Sequence, residues 1–550
     1  FANNTGLGVD LWNPLLLKNM SKEAAQGLAD LLNEVEDQVA WPIQTLSNVI
    51  VLLGKPDGGS RPIALMPMLY RLWTRIRKSQ IIQWEGENKG PWDAAVRGSS
   101  ALRAAILSLF ADELASYNDE TIIKVLWDLE KFYDTIKVPI LIERAAMLNY
   151  PVQLTALGCI MHAAPRTIRA YQHHIEADIP SNSIIAGCTQ SNQFARIMLH
   201  AILQNVTNQV PKVNLRSYVD DVSQTYRGGY GVSDIKKSAA LLAASFRAAG
   251  LRISTKSKIL SNNWKLARLL AQHLAKRGVS VTITRQAKDL GVGTTAGVRR
   301  TKAVLKGRFA AARRRAHRIK ILRQADYKAA KLVNSGAMPQ ATYGMEGMGL
   351  TADDISQLRA MAANAVSTYT KGQCTTTLIW LELGEQHDPA TKYTLDQIRM
   401  WFYLINMSEN SLVHVAKMWW KAKRHINVGN PEWAKVRGPM GATIALLAEI
   451  GWDPISPLKW AHPIGEKWQF HTNVSQSMFI REMREWMAAM AWAKASQHHN
   501  GTGLERGADL SVAKRHVMVL RKLGRLSQAS LLVTITAGGI WSQVRKQQAG

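Results

Sequence analysis

Two adjacent aspartates stand at the centre of SYVDDVSQTY (residues 217–226), between apolar and aromatic residues. The surrounding stretch, 214–226, alternates enough to predict a β-hairpin. Two neighbouring carboxylates repel each other, and burial adds a desolvation cost to each. Such a pair fits a solvated turn between strands, because Asp favours turns. It also fits a metal site, where a divalent cation neutralises the two carboxylates. A metal site of this kind needs a further carboxylate and a polyanionic substrate.

Positive charge dominates the composition of the chain. Its 550 residues include 69 Lys+Arg and 41 Asp+Glu, which gives a net charge of +28, and 47% of the residues are hydrophobic. This composition predicts two to four globular domains and a polyanionic partner, with nucleic acid preferred to an anionic membrane surface. No apolar run approaches the roughly 18 residues of a membrane helix, and no signal-peptide pattern opens the chain.

Three widely spaced cysteines, Cys159, Cys188 and Cys374, predict neither a disulfide framework nor a zinc site. They are compatible with a reducing, intracellular location. Because the chain begins at Phe1 rather than Met, we expect it to be a piece of a longer protein with other domains.

Strand and helix signals follow one another in irregular order along the first half of the chain. Short apolar or alternating runs bounded by turn residues predict strands, and apolar residues at three- and four-residue steps predict helices. The irregular order indicates an α+β fold rather than a repeating βα unit. The predicted elements are a helix over 21–40, a strand–turn–strand unit over 48–66, a helix over 99–116, a strand over 122–130, the hairpin over 214–226 and a helix over 234–249.

A strongly basic segment lies at 299–331, with 13 Lys/Arg and one acidic residue, Asp326. A solvated helix face and a nuclear-import signal are alternative interpretations of such a run. The near absence of acidic partners favours a surface that follows nucleic-acid phosphates. The apolar spacing predicts an amphipathic helix whose inner face is formed by Leu305, Phe309, Ala312, Ala316, Ile319 and Leu322.

A further carboxylate, Asp128, stands near the end of the apolar run IIKVLWDLE. Pairing of distant strands can bring it to Asp220 and Asp221. Three carboxylates would then hold two Mg²⁺ ions, the arrangement that activates a primer hydroxyl and stabilises a pyrophosphate leaving group. Glu130 and Asp134 stand nearby and complicate the choice of ligand. On a strand, Glu130 shares the face of Asp128, so the sequence does not exclude it.

The remainder of the chain, from about 351, contains 11 of the 18 tryptophans. Scattered Trp residues usually pack in helical cores, and stacking on nucleic-acid bases is a minority use. The pattern predicts a mainly helical region without indicating its role.

The order of these motifs resembles that of the reverse transcriptases, and most closely those of non-LTR (LINE-type) retrotransposons. The resemblance covers about residues 41–350 and implies an α+β right-hand polymerase with fingers, an antiparallel palm sheet and a helical thumb. The motifs that carry it are KPDGGSRPI, GSSALRAAI, DLEKFYD, AGCTQSN, YVDD, GLRISTKSKIL, KDLGV and ATYGMEG.

The resemblance also implies domain boundaries. An N-terminal extension and fingers would occupy 1–120, and a palm 121–295 with a fingers insertion at about 139–180. A basic thumb would occupy 296–350, followed by the Trp-rich region 351–550.

The resemblance further implies RNA-directed DNA polymerase activity with two Mg²⁺ ions (Mn²⁺ as an alternative), an RNA template, a DNA primer or target DNA, and dNTPs. The nucleus would be its location if the element is eukaryotic.

The resemblance also implies roles for individual residues. The implied metal ligands are Asp128, Asp220, the Leu129 carbonyl and, in a lesser role, Asp221. The implied substrate contacts are Lys55 and Arg61 on the triphosphate, Tyr133 under the sugar, and Gly187 and Gln190 in the loop at the nucleotide. Lys256 is the candidate proton donor to pyrophosphate, with Lys258 two residues away as the alternative. The implied nucleic-acid contacts are Arg308, Arg313, Arg314, Arg315 and Arg318.

Three other functions share parts of this pattern. An RNA-dependent RNA polymerase would be expected to have Gly-Asp-Asp in the hairpin and a small or acidic residue under the sugar, so Val219 and Tyr133 disfavour it. A group II intron maturase, which assists RNA splicing, is closer and stays open. A non-enzymatic RNA-binding palm would be expected to have lost a catalytic aspartate, and all three are present.

Overall fold

The structure is a computed structural model that describes residues 1–54, 58–170, 173–177, 179–229, 231–367, 370–540 and 547. Lys55, one of the two predicted triphosphate contacts, lies outside the described residues. Within the described part of the chain, every helix is too short or too polar to span a membrane.

Strands and helices alternate irregularly, which confirms the predicted α+β class. The strands are β1 (Asn48–Gly54), β2 (Ser60–Leu65), β3 (Thr121–Trp127), β4 (Arg166–Ala170), β5 (His173–Ala177), β6 (Val213–Tyr218), β7 (Asp221–Gly228), β8 (Lys258–Ser261), β9 (Thr282–Ile283), β10 (Ala287–Asp289), β11 (Val292–Thr294), β12 (Asp453–Ser456), β13 (Lys459–Ala461) and β14 (Lys467–Gln469).

In chain order, the helices fall into one group before the end of the palm sheet and one group after it. Those before it are α1 (Pro14–Lys18), α2 (Lys22–Asp37), α3 (Met68–Ile76), α4 (Lys78–Asn88), α5 (Ala101–Tyr117), α6 (Phe132–Thr135), α7 (Val138–Met147), α8 (Val152–Ala163), α9 (Ser191–Gln209), α10 (Ser233–Ala248) and α11 (Trp264–Ala275). Those after it are α12 (Ala303–Ala325), α13 (Met338–Thr342), α14 (Ala352–Val366), α15 (Thr375–Glu382), α16 (Pro389–Met407), α17 (Leu412–Ile426), α18 (Pro439–Glu449), α19 (Asn473–Ser496), α20 (Ser511–Lys522) and α21 (Leu526–Thr536).

A five-stranded sheet with the order β6-β7-β3-β8-β9 forms the palm. Its strands pair antiparallel except β8 with β9. The central strand β3 has nearly all of its side chains buried, which explains why it reads as a continuous apolar run. The predicted 214–226 hairpin is confirmed as β6 and β7.

A second sheet, with the order β2-β1-β4-β5, forms the fingers. The β1–β2 hairpin was predicted from sequence. The parallel pairing of β1 with β4, in which Asn48 lies opposite Arg166, joins it to a distant segment. Asn48 strengthens the junction, because its buried side-chain amide donates to the Met161 carbonyl at 2.8 Å.

The basic helix α12 is confirmed, and it buries Phe309, Ala312, Ala316 and Ile319 as its spacing predicted. Leu322 is the exception, since it is 52% exposed and does not belong to the inner face. These side chains join one large core that also includes α5 and the helices of the Trp-rich region.

Most described tryptophans of the Trp-rich region pack in that core, as predicted. Trp460 and Phe470 have ring centroids 4.7 Å apart, and Phe470 and Phe479 are also 4.7 Å apart. Phe110 of α5 contacts Trp401 of α16 at 5.6 Å. The Trp-rich region is therefore packed directly on α5, which in turn supports the palm strand β3.

A buried carboxylate ties α5 to the Trp-rich region. Glu113 accepts hydrogen bonds from the backbone N–H groups of Met440 (2.7 Å) and Gly441 (2.9 Å) at the start of α18. These N–H groups have no partner within the helix, so Glu113 caps α18 from a distant part of the chain. Burial raises the pKa of Glu113 to about 7 despite these bonds.

A buried ionic cluster lies between α5 and the palm sheet. Lys124 of β3 and Asp112 of α5 are fully buried and paired. Arg227 of β7 also binds Asp112, at 2.7 Å from Nη2. Burial alone would raise the pKa of Asp112, but the charges of Lys124 and Arg227 lower it below its ordinary value. The cluster fixes α5 across the back of the sheet.

Candidate active site

Asp128 follows the last residue of β3. Its backbone N–H donates to the Ser257 hydroxyl (3.1 Å), and its carbonyl accepts from the Ser254 N–H (2.8 Å). These bonds hold the backbone of Asp128 against the segment that leads into β8. Because β3 ends at Trp127, Glu130 does not lie on the strand, which corrects the expectation of a shared strand face.

Asp220 lies in the tight turn between β6 and β7. Tyr218 pairs with Asp221 across the turn, and Val219 has a positive φ of 60°. The two-residue connection turns the Asp220 side chain to the cavity that Asp128 also lines. The structure therefore brings together the two principal carboxylates predicted from sequence.

The electrostatics of the pair fit a site for cations. Burial and then the charge of Asp128 raise the pKa of Asp220, and Arg61 opposes the rise. Desolvation by the surrounding chain raises the pKa of Asp221 to about 6, with repulsion from Asp220, Asp289 and Asp128 adding to it. Burial and mutual repulsion therefore both disfavour the charged form of these neighbouring carboxylates.

The cavity has a volume of about 1030 Å³ and lies between the palm and fingers sheets. Of the predicted residues, Arg61, Leu129, Tyr133 and Lys256 line it together with the two aspartates. Lys258 does not line it, which favours Lys256 as the predicted proton donor. The charged side chains of its lining are Arg61, Asp128, Glu130, Lys131, Asp134, Arg166, Asp220 and Lys256.

Tyr133 lines the cavity at the start of α6. Its ring packs edge-on against Phe132 with centroids 5.5 Å apart, and its carbonyl accepts from the Ile184 N–H at 2.9 Å. Burial, and then the charge of Asp220, raise the pKa of its hydroxyl. The ring is therefore held in place beside Asp220 at the wall of the cavity.

Gln190 packs inside the protein, so the expectation that it contacts the substrate is wrong. It is fully buried: its amide N–H donates to the Tyr70 hydroxyl (3.1 Å), and its amide oxygen accepts from Tyr150 (2.8 Å). Gly187 is exposed and is not among the residues that line the cavity. Its φ is +104°, and a Cβ there would lie 3.1 Å from the Ala64 carbonyl of β2. The loop therefore needs glycine for its approach to the fingers hairpin.

Arg166 is a cavity residue that sequence reasoning missed. It begins β4, and its Nη2 donates to the Ser183 hydroxyl at 3.1 Å, while its Nε is buried without a hydrogen-bond partner among the described residues. No motif marked it, because its position depends on the parallel pairing of β4 with β1. No strand was predicted for APRTIRA, so the sequence offered no signal for this residue.

The oxygen groups at this edge fit a divalent cation. Asp128 and Asp220 supply carboxylates. Leu129 also lines the cavity, and its carbonyl accepts no hydrogen bond from the described residues. Oxygen ligands of this kind are those that Mg²⁺ and Mn²⁺ prefer. In the described ranges, no three His, Cys, Asp or Glu side chains lie close enough together to hold a metal ion. The structure therefore does not bring Asp221 together with Asp128 and Asp220 as a third ligand, and its role stays a prediction.

The predicted nucleic-acid contacts on α12 divide into two groups. Arg308 is half-buried, stacks on the Tyr343 ring at 4.7 Å and donates to the Gly291 carbonyl at 2.9 Å, which corrects its expected role to a structural one. Arg313 and Arg315 are exposed but bind Gln357 and the Gly336 carbonyl. Arg314 and Arg318 are exposed and have no partner among the described residues.

A palm sheet with carboxylates at the end of β3 and in the β6–β7 turn, facing a fingers hairpin across a cavity lined by charged residues of both signs, defines a right-hand polymerase. Residues 53–292 match the reverse transcriptase (RNA-dependent DNA polymerase) family. This part of the chain is a reverse transcriptase domain, the domain of an RNA-directed DNA polymerase. The family binds an RNA template and a nucleic-acid primer and generally uses divalent metal ions.

A solved structure of apo telomerase from Candida tropicalis, truncated from the C-terminal domain, is also similar. The identity is 12%, the TM-score is 0.33, and the match covers 50% of this chain. This chain spans 61% of the length of that telomerase chain. No curated protein matches the sequence. The activity, substrates and partners of the whole protein are therefore proposals.

Proposed function

We propose that this protein is the reverse transcriptase of a non-LTR retrotransposon, which copies RNA into DNA from a primer 3′-hydroxyl. The observation that carries the activity is the meeting of Asp128 and Asp220 at one cavity with Arg61 and Tyr133. The retrotransposon type rests on the motif order up to ATYGMEG (341–347) and on the Trp-rich region beyond it. In a eukaryotic element, the nucleus would be the site of action.

Asp128, Asp220 and the Leu129 carbonyl would hold Mg²⁺ or Mn²⁺, with Asp221 in a lesser role. The ions would lower the pKa of the primer hydroxyl and neutralise charge on the phosphates. Arg61, exposed on β2, would bind the triphosphate by charge-assisted hydrogen bonds. Lys256 would donate a proton to the departing pyrophosphate, because it lines the same cavity as the two aspartates.

Primer extension tests this activity. With an RNA template, a DNA primer and either divalent ion, we expect extension with dNTPs and little with NTPs. Failure to extend any primer with dNTPs under either ion would overturn the polymerase proposal. Efficient extension with NTPs alone would instead indicate an RNA polymerase.

Removal of the Tyr133 ring should change sugar selection. Because the ring is held beside Asp220 under the proposed sugar site, Tyr133→Ala should admit a 2′-hydroxyl and raise relative ribonucleotide use about 10-fold or more, in line with steric discrimination in pockets. The measurement is kcat/KM for a dNTP and the matching NTP. Tyr133→Phe, which keeps the ring, should retain the wild-type preference. An unaltered preference in Tyr133→Ala would limit the residue to packing.

Arg314 and Arg318 should carry the duplex contacts of α12. The helix is 23 residues long, which at 1.5 Å per residue is about 35 Å, about one turn of a duplex. Replacing both with Gln should weaken template–primer binding for every sequence and flatten the slope of log affinity against log salt by about 1.8, or 0.9 per phosphate contact. The control is Lys22→Gln with Lys494→Gln, two exposed lysines on other helices. An unchanged slope would remove these arginines from the duplex surface.

A further inference from the structure

Helix α17 has one buried and one exposed face. The buried face packs Val415, Met418, Trp419, Ala422 and Ile426 into the core. The exposed side chains at three- and four-residue steps on the other side are Val413, Lys417, Trp420, Lys421 and Arg424, which we name the Trp420 face. The amphipathic pattern is ordinary except that an indole stands among the cations.

Trp420 is unusual in this protein. Its side chain is 61% exposed, whereas every other tryptophan that the structure describes is buried or partly buried. The preceding residue, Trp419, is fully buried and donates its indole N–H to the Pro454 carbonyl at 2.9 Å. The fold therefore uses Trp419 for packing and leaves the ring of Trp420 available to a partner.

The charge around Trp420 selects the class of partner. Lys417 and Arg424 lie one helical turn on either side of it, and in the described ranges neither has a hydrogen-bond or ion-pair partner. An apolar protein surface would leave these cations unpaired. A single-stranded nucleic acid matches both features, because its bases stack on aromatic rings and its phosphates bind cations.

The Trp420 face lies at the opposite end of the palm from the catalytic edge. Lys421 donates to the Tyr117 carbonyl at 2.7 Å and lies 3.7 Å from the Asp119 carboxylate, just before β3 begins. Asp128 follows the other end of β3, seven residues on. At about 3.3 Å per residue, the two ends are about 23 Å apart. A strand bound at Trp420 is therefore outside the cavity where the templating base would pair.

We propose that the Trp420 face binds a single-stranded flank of the RNA template, with an unpaired base stacked on Trp420 and adjacent phosphates on Lys417 and Arg424. The proposal rests on the proposed function only for the identity of the strand. It adds a second RNA contact, on the Trp-rich region, to the contacts of the polymerase cavity and α12.

The test compares two probes that differ in a single-stranded flank. One is a blunt RNA/DNA template–primer, and the other is the same duplex with an unstructured RNA extension of about 20 nucleotides, longer than typical single-strand sites of 4–16. Trp420→Ala should weaken binding of the extended probe about 5- to 150-fold, the range for losing one stacked base. It should leave affinity for the blunt probe and extension on a short template unchanged.

Two further variants separate stacking from charge. Trp420→Phe should recover most of the affinity for the extended probe. Lys417→Gln with Arg424→Gln should flatten the salt slope for that probe by about 1.4, or 0.7 per phosphate on a single strand. The matched control is again Lys22→Gln with Lys494→Gln, which should not change the difference between the probes.

The proposal is overturned if Trp420→Ala binds both probes as the wild type does, which is also the result expected if the face binds a protein. It is likewise overturned if the loss is equal for both probes, since that would place Trp420 on the duplex path. These outcomes do not depend on catalysis. The wild type could fail to extend primers while Trp420→Ala still weakens binding of the extended probe. That combination would contradict the proposed function and support this RNA site.

Discussion

Asp128→Asn is expected to reduce primer extension by at least about 1,000-fold, equivalent to about 4 kcal/mol in the barrier. Asparagine keeps the shape of the side chain but removes the charge that would hold a divalent cation opposite Asp220. Because Asp128 is exposed to the cavity, the variant should fold normally. Single-turnover extension at saturating dNTP measures the effect, and template–primer affinity should stay within a few-fold of wild type.

Glu130→Gln is the matched control. Glu130 lines the same cavity, but it follows the end of β3 by three residues rather than one, and its N–H pairs with the Arg252 carbonyl at 2.8 Å. We expect it to retain extension within a few-fold. A large loss in Glu130→Gln together with an active Asp128→Asn would show that the wrong carboxylate has been assigned to the metal.

Asp112→Ala is expected to lower the free energy of unfolding by about 3–5 kcal/mol, the usual cost of leaving a buried charge without its partner. Lys124 has no exposed surface, and Asp112 is the one carboxylate among its described hydrogen-bond partners. Arg227 would lose the same partner. Denaturant and thermal unfolding measure the change.

Asp396→Ala provides the comparison for that variant. Asp396 pairs with Lys392 and Arg399 on the surface of α16, where all three side chains reach solvent. Exposed pairs of this kind contribute about 0–1 kcal/mol, so little change is expected. If Asp112→Ala were as stable as Asp396→Ala, the buried cluster would not hold α5 to the palm.

Local sequence was sufficient to predict the secondary-structure elements that carry the site residues and the order of those elements along the chain. The alternation around Asp220 and the apolar run before Asp128 predicted the hairpin and strand that carry them. The three- and four-residue spacing of Phe309, Ala312 and Ala316 predicted the inner face of α12. These features depend on backbone hydrogen bonds and side-chain periodicity over a few residues, which neighbouring residues determine.

Only the tertiary structure decided which polar side chains face the cavity. Gln190, expected at the substrate, is buried between Tyr70 and Tyr150, residues 120 and 40 positions away in the chain. Arg166 reaches the cavity because β4 pairs with β1. Arg308 and Arg314 have the same side chain on the same helix, yet only Arg308 meets Tyr343. Burial and partners of this kind depend on long-range packing, which a residue and its immediate neighbours do not encode.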